Sequence, residues 1–277
     1  MMGASGRPHL DPFREIDAQA DPLRFIEALE RRGRTRSQQR LRRRFLRFIP
    51  VAPGSAVLEV GCGTGVVIRD LLAMVGARGQ VVGIDPSRAT VKAARLLGRG
   101  LPLRSRMALR VARGERLPFR SGRFDVAVAI TVILHVADPA AVVAEMARVV
   151  RRGGRVGLQD QDFGAVVLAH PDRALTARIL DDVVARLYQE PHSGRRLPGL
   201  LRDADLQDVR VLTGVYQDTT LQPYTRDFLE RRAENAVRFG IVDSPTAQRW
   251  LDGLNDLVAR GAFLFTMNYY GAVGVKP

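Results

Sequence analysis

The sequence predicts an α/β protein built on a mostly parallel sheet, and three observations carry the prediction. Between residues 52 and 163, short apolar runs of strand length alternate with amphipathic segments. Each run is nearly all apolar, as a strand covered on both faces must be, whereas a half-exposed antiparallel strand would alternate. One run enters a glycine-rich turn that opens directly into a helical pattern.

Taken in order, residues 21–49 have helical periodicity, with Phe25, Ile26 and Leu29 on one stripe and Leu41, Phe45, Phe48 and Ile49 on a second. Gly33 reads as the break between two helices and Ser37 as the cap of the second. Strands are expected at 56–60, 81–84, 109–112, 126–131 and 155–159, with helices at 66–75, 87–97 and 139–150, the last ending at Gly153-Gly154. After Phe163 the pattern changes to helices at 173–188, 197–204, 225–239 and 244–259, with strands at 209–216 and 263–275. The chain thus divides into an N-terminal helical cap (1–51), a sheet core (52–163), and helical segments plus the last two strands of the same sheet (164–277). Helices inserted before the final strand would lay an apolar layer over the carboxyl edge of the sheet, a candidate lid.

A chain of 277 residues with 46% hydrophobic content can bury a full core. Its single cysteine, Cys62, cannot pair within the chain, and no Cys/His cluster has zinc-ligand spacing, which favours a reducing compartment and no metal. The stretch MMGASGRPHLDPFRE has no apolar leader region, and the longest apolar run, 126–136, is interrupted by Thr131 and His135 and is too short to span a bilayer. A cytoplasmic protein with no membrane partner is expected. The net charge of +14 would attract polyanions, so a nucleic-acid substrate stays open. Lysine occurs only at Lys92 and Lys276, an arginine skew of the kind a GC-rich genome writes, although such a bias does not account for the whole charge excess.

The most informative segment is VLEVGCGTG, residues 57–65. Glycine at Gly61, Gly63 and Gly65 permits positive φ and lets a ligand approach the backbone without meeting a Cβ. A dinucleotide fingerprint would place its third glycine where this chain has Val66, and Glu59 stands just before the turn. That carboxylate repels a pyrophosphate but attracts the amino group and sulfonium of S-adenosylmethionine (SAM). At the end of the second strand, Asp85 follows Gly65 by twenty residues, where a carboxylate can accept hydrogen bonds from both ribose hydroxyls, cap the next helix, or do both.

With these elements placed, the chain resembles class I SAM-dependent methyltransferases, and among them the ubiquinone and menaquinone biosynthesis group. The resemblance rests on VLEVGCGTG, GIDPS, GERLPFRSGRFDVAV, ILHVADP, EMARVVRRGGRVGL and YYGAVGVKP. It implies a Rossmann-like seven-stranded sheet, mostly parallel with an antiparallel last strand, together with N-terminal helices and helical lid insertions. It also implies that Glu59, Gly61, Gly63 and Gly65 line the methionine half of SAM, with Cys62 inside that loop, and that Asp85, followed by Pro86, holds the ribose. Gly114 and Glu115 would flank adenine, and Thr131 would lie beneath the cofactor. Many relatives carry an acid two positions before the Glu of GERLPF to bind the adenine amine, whereas this chain has Arg113, which has no acceptor. Backbone groups around Gly114 would hold adenine instead.

Methyl transfer from a sulfonium is an in-line displacement whose leaving group is already activated, so positioning and exclusion of water supply much of the rate and no metal is needed. An oxygen or nitrogen acceptor can still require a base. His135, after the fourth strand, is the first candidate, and Asp160 in the run Gln159, Asp160, Gln161, Asp162 is the second. His192, between predicted helices, reads as a loop residue. Arginines at 31, 32, 34, 36, 40, 42, 43, 44 and 47 read mainly as a solvated helix face, from which Arg36, Gln39 or Arg40 would reach the SAM carboxylate. The leading function is methylation of a small, fairly apolar metabolite at oxygen, nitrogen or carbon in a pocket supplied by the later helices and Trp250. The alternatives are a nucleic-acid methyltransferase, against which stands TVILHV in place of an NPPY-like motif, and a SAM-binding protein without methyl transfer. The oligomeric state stays open, with a homodimer one option.

Overall fold

The computed structural model describes residues 11–277; residues 1–10, the start of the expected cap, lie outside the described residues. Seven strands, β1 (Ala56–Val60), β2 (Gln80–Asp85), β3 (Met107–Val111), β4 (Phe124–Ile130), β5 (Val150–Leu168), β6 (Gln207–Asp218) and β7 (Phe265–Val275), form one sheet in the order β3-β2-β1-β4-β5-β7-β6. Strands β1 to β5 pair in parallel, and β7 runs antiparallel to both β5 and β6. The seven-stranded, mostly parallel sheet with an antiparallel last strand is therefore the one the sequence predicts.

Parallel neighbours need crossovers, and α3 (Val66–Val75), α4 (Arg88–Leu97) and α5 (Pro139–Val149) supply them. Both sheet faces are consequently covered. Leu58, Val60, Val82 and Ile84 share a buried cluster with Val143 and Met146 of α5 and Leu197 and Leu201 of α8 (Ser193–Asp203). Val57, Val81, Val126 and Val128 face the other way, onto α3 and onto α2 (Arg36–Phe48). There α2 lies directly on the strands: a Cβ added to Gly271 would stand 2.4 Å from Phe45, and one added to Gly157 would stand 2.4 Å from Ile49. Phe45 is core, as its stripe predicted.

Several boundaries differ for physical reasons. Gly33 does not break the first helix but lies inside α1 (Pro22–Arg34), where a Cβ would meet Val66 at 2.8 Å; the glycine permits close packing on α3. Thr35, not Ser37, stands between α1 and α2. Gly153-Gly154 belongs to β5 rather than to a helix end, since α5 stops at Val149 and Gly153 has φ +72° within the strand. Strand β3 starts two residues early because its pairing with β2 begins at Val81↔Met107. Strand β5 continues through Phe163, the expected end of the core, to Leu168, held by β7 across a register shift between Asp162 and Val166. The expected helix at 173–188 is three pieces: α6 (Arg173–Ala177), a π-helical turn (Arg178–Asp182) and α7 (Val183–Leu187).

The later helices, including α9 (Pro223–Arg238) and α10 (Ser244–Ala259), have a hydrophobic cluster of their own. Trp250 is its centre, fully buried, with its indole N–H donating to Thr176 Oγ1 at 3.0 Å. It is lid core and not, as its composition suggested, pocket wall.

Candidate cofactor and acceptor site

A cavity opens at the carboxyl ends of β1, β2, β4 and β5, roofed by α1 and by the first turns of α9. Glu59, Gly61, Cys62, Gly63, Asp85, Pro86, Gly114, Glu115, Thr131 and His135 all border it. Gly65 does not; it is the left-handed residue that starts α3, at φ +79°. Arg36 is exposed and away from the cavity, as is Arg40; the arginines of the run that border it are Arg31, Arg32 and Arg42.

The glycine loop is constrained by its surroundings. At Gly61, φ is +70° and an added Cβ would stand 2.4 Å from Val132 Cγ2, so no side chain fits. The loop is then fastened to the next strand: Cys62 N–H donates to the Ile84 carbonyl at 2.8 Å and Gly63 N–H to Asp85 Oδ2 at 2.9 Å. The second oxygen of Asp85 accepts from Ser87 N–H at 3.0 Å and Thr90 Oγ1 at 2.8 Å. Burial raises the Asp85 carboxyl above its ordinary range, and these hydrogen bonds oppose the rise. Capping of α4 falls to Ser87, whose Oγ accepts from Thr90 N–H at 3.1 Å.

Glu59 is 2% exposed and its Oε2 has no hydrogen-bond partner among the described residues. Burial, then the nearby Asp85 carboxylate, hold its carboxyl well above the usual range. A buried acceptor left unpaired at the rim of a cavity fits a ligand that brings cationic donors, and it does not fit a pyrophosphate.

Sequence reasoning missed how the N-terminal segment is fastened. Three of its acids each reach a different loop at the sheet edge. Glu30 accepts from Thr64 Oγ1 at 2.6 Å and pairs with Arg69 at 2.9 Å; Asp17 accepts from Ser87 Oγ at 2.6 Å and from Arg88 N–H at 2.7 Å. Asp11, with its side chain fully buried, lies 2.5 Å from His135 Nδ1. Acids scattered along a helical pattern show no such partners in one dimension.

His135 also packs against Phe13 and Tyr188, with ring centroids 5.2 and 5.6 Å away. Asp160, the second candidate base, does not border the cavity: along β5, Gln159, Gln161 and Phe163 point into it, so the alternation of a strand turns Asp160 away. Its oxygens accept from the backbone N–H groups of Leu134 at 3.0 Å and Gln161 at 3.1 Å, which pins the loop carrying His135. Burial pushes the Asp160 carboxyl up to about 6, against the pull of His135. His192 is half-exposed, with Nδ1 3.4 Å from Asp162 Oδ1, and does not border the cavity. Thr131, at the end of β4, has φ +55°, an uncommon conformation for a β-branched residue, and its Oγ1 accepts from Arg32 Nη1 at 3.0 Å.

Sheet order, glycine loop and following acid together define a class I SAM-dependent methyltransferase. A family model described as a methyltransferase domain matches residues 58–158, and the chain belongs to that family. An uncharacterized 37.1 kDa protein of transposon TN4556 from Streptomyces fradiae is 31% identical over 91% of this chain and 71% of its own length. A demethylmenaquinone methyltransferase of Desulfitobacterium hafniense is 33% identical over 42% of this chain and 46% of its own. Among solved structures, a phosphoethanolamine N-methyltransferase of Haemonchus contortus, bound to phosphomonomethylethanolamine and S-adenosylhomocysteine, shares the fold with a TM-score of 0.60 at 18% identity. That match covers 96% of this chain and 60% of the other. The alignments thus span less than two thirds of the last two proteins. Among the described residues no group of three or more His, Cys, Asp or Glu is placed to hold a metal ion, and no helix is long and apolar enough to cross a membrane.

Proposed function

We propose that this protein transfers the methyl group of SAM to a small, fairly apolar metabolite, at oxygen, nitrogen or carbon, without a metal and in the cytoplasm. The observation that carries the reading is a single cavity with two unlike halves. One half presents the unpaired Glu59 Oε2 beside Gly61, where Val132 excludes any Cβ; the other is walled by Phe163, Tyr188, Tyr224 and Phe228. When bound, SAM supplies an activated methyl group on a cationic sulfur.

The residues then take these roles. Glu59 receives the cofactor's amino group, Gly61, Cys62 and Gly63 let the cofactor approach the protein backbone, Asp85 with Pro86 holds the ribose, and Gly114 and Glu115 flank adenine. Gly65 acts indirectly, by setting the start of α3. His135, held through Nδ1 by Asp11, keeps Nε2 for the acceptor's proton. Asp160 positions that loop and is not the base. We read the described part of 1–51 as a cap, 52–163 as the cofactor core and 164–277 as lid plus closing strands.

Calorimetric titration tests the cofactor: SAM and S-adenosylhomocysteine should bind and NADH should not. Incubation with methyl-labelled SAM and a metabolite extract tests the transfer. Cofactor binding with no label moved would instead favour a SAM-binding protein without transfer.

A further inference from the structure

Arg32 borders the cavity half-buried, yet it makes no ion pair among the described residues. Its hydrogen bond goes to the neutral Thr131 Oγ1 at 3.0 Å, and it lies 6.0 Å over the Tyr269 ring. The carboxylate in its neighbourhood, Asp160, has both oxygens engaged by the Leu134 and Gln161 amides. A cation drawn partly out of water without a counter-ion carries a desolvation cost, and such a group at a cavity wall is matched when a ligand brings negative charge.

Position along the sheet says which ligand. Glu59 and Asp85 end β1 and β2, whereas the neighbours of Arg32 stand on β4 (Thr131 at its end), β5 (Asp160), β7 (Tyr269) and α9 (Tyr224), on the far side in the strand order. A second, independent observation points the same way. Arg232 of α9 is 3% exposed, has its Nε unpaired, and lies 4.9, 5.3 and 4.6 Å over the rings of Phe163, Tyr188 and Phe228, the wall of the acceptor half. It too makes no ion pair among the described residues. That half therefore carries two guanidinium groups without an ion pair, since the acid on its wall, Asp227, pairs with Arg31 and Arg231, and both oxygens of Asp160 are taken by backbone amides.

We propose that the methyl acceptor carries an anionic oxygen, a carboxylate or an ionised hydroxyl, and that Arg32 is its receptor. This rests on the methyl-transfer reading and narrows its substrate class to apolar molecules with one acidic group. The guanidinium fork presents paired N–H donors, which suits a planar carboxylate.

The test uses the full chain saturated with S-adenosylhomocysteine and titrated by calorimetry with acetate, benzoate and 1-naphthoate, each beside its neutral primary amide. The carboxylates, the larger ones most, should bind at least about tenfold more tightly than the amides, a preference that Arg32→Met removes while S-adenosylhomocysteine affinity stays unchanged. Arg32→Gln serves as a second neutral replacement should the first fail to fold. Equal binding of acids and amides by the wild type overturns the proposal. So does a neutral variant that keeps the preference, or one that loses the cofactor and not the carboxylate, which would assign Arg32 to the cofactor's own carboxylate. Failure of the wild type to bind S-adenosylhomocysteine would instead strike the methyltransferase reading.

Discussion

Asp11 Oδ2 and His135 Nδ1 lie 2.5 Å apart, joining the N-terminal segment to the loop after β4 across the mouth of the cavity. The carboxylate is buried and also accepts from Phe13 N–H at 3.0 Å, so it is fixed before it orients the imidazole. Expected from this arrangement is a loss of label transfer on the order of a hundredfold in His135→Gln and a smaller loss in Asp11→Asn. Both should appear in kcat, with S-adenosylhomocysteine affinity by calorimetry unchanged. Full activity in His135→Gln would remove the base from the mechanism.

Glu59→Gln should weaken SAM binding by about ten- to a hundredfold, the range of a lost charge-assisted hydrogen bond. Burial and Asp85 raise the carboxyl in the ligand-free protein, and an arriving cation favours its ionised form and lowers it again, so cofactor binding is coupled to proton release from Glu59. SAM affinity should therefore rise with pH, and the binding enthalpy should vary with the ionisation enthalpy of the buffer. A wild-type enthalpy identical in phosphate and Tris would show that Glu59 releases no proton.

Gly33→Ala sets two effects against each other. Alanine gains about 1 kcal/mol over glycine inside a helix, but the added Cβ would stand 2.8 Å from Val66, and overpacking costs about 1–3 kcal/mol. The clash should win, lowering the melting temperature and loosening α1 from the glycine loop. Val66→Ala in the same chain should recover the loss, and a double variant no better than the single would show that the contact is not the cause.

Asp160 gives a pH dependence of known sign. Its folded-state value of about 6 lies above the ordinary 3.8, so the folded protein holds the proton more tightly than the unfolded chain. Its contribution is therefore greatest below about pH 4, falls between about pH 4 and 6, and stays low above, by roughly 3 kcal/mol. Asp160→Asn removes that slope but leaves one backbone amide poorly satisfied, an offset of about 1 kcal/mol at all pH values. Urea unfolding at pH 4 and pH 7 should show the variant gaining on the wild type at the higher pH, and parallel profiles would contradict the assignment.

Much of this was legible in one dimension because it depends on local rules. The apolar runs located β1 and β2, α3 fell at the expected residues 66–75, and the glycines with Glu59 and Asp85 marked the cavity before any fold was known. The boundaries that moved did so where a distant contact outweighed local preference, as at Gly33 under Val66 and Gly153-Gly154 in β5.

What the sequence by itself determined is the sheet, its glycine loop and the class of ligand they suit, because hydrophobic periodicity and glycine conformation act between near neighbours. What only the tertiary structure decided is which charges face inward. Arg32 rather than Arg36 reaches the cavity, Asp160 turns away from it, and Asp11 meets His135 across 124 positions of chain. Arginines recur around both α1 and α2, and only the packing of these helices against α3 and the end of β4 fixes which of them turn inward.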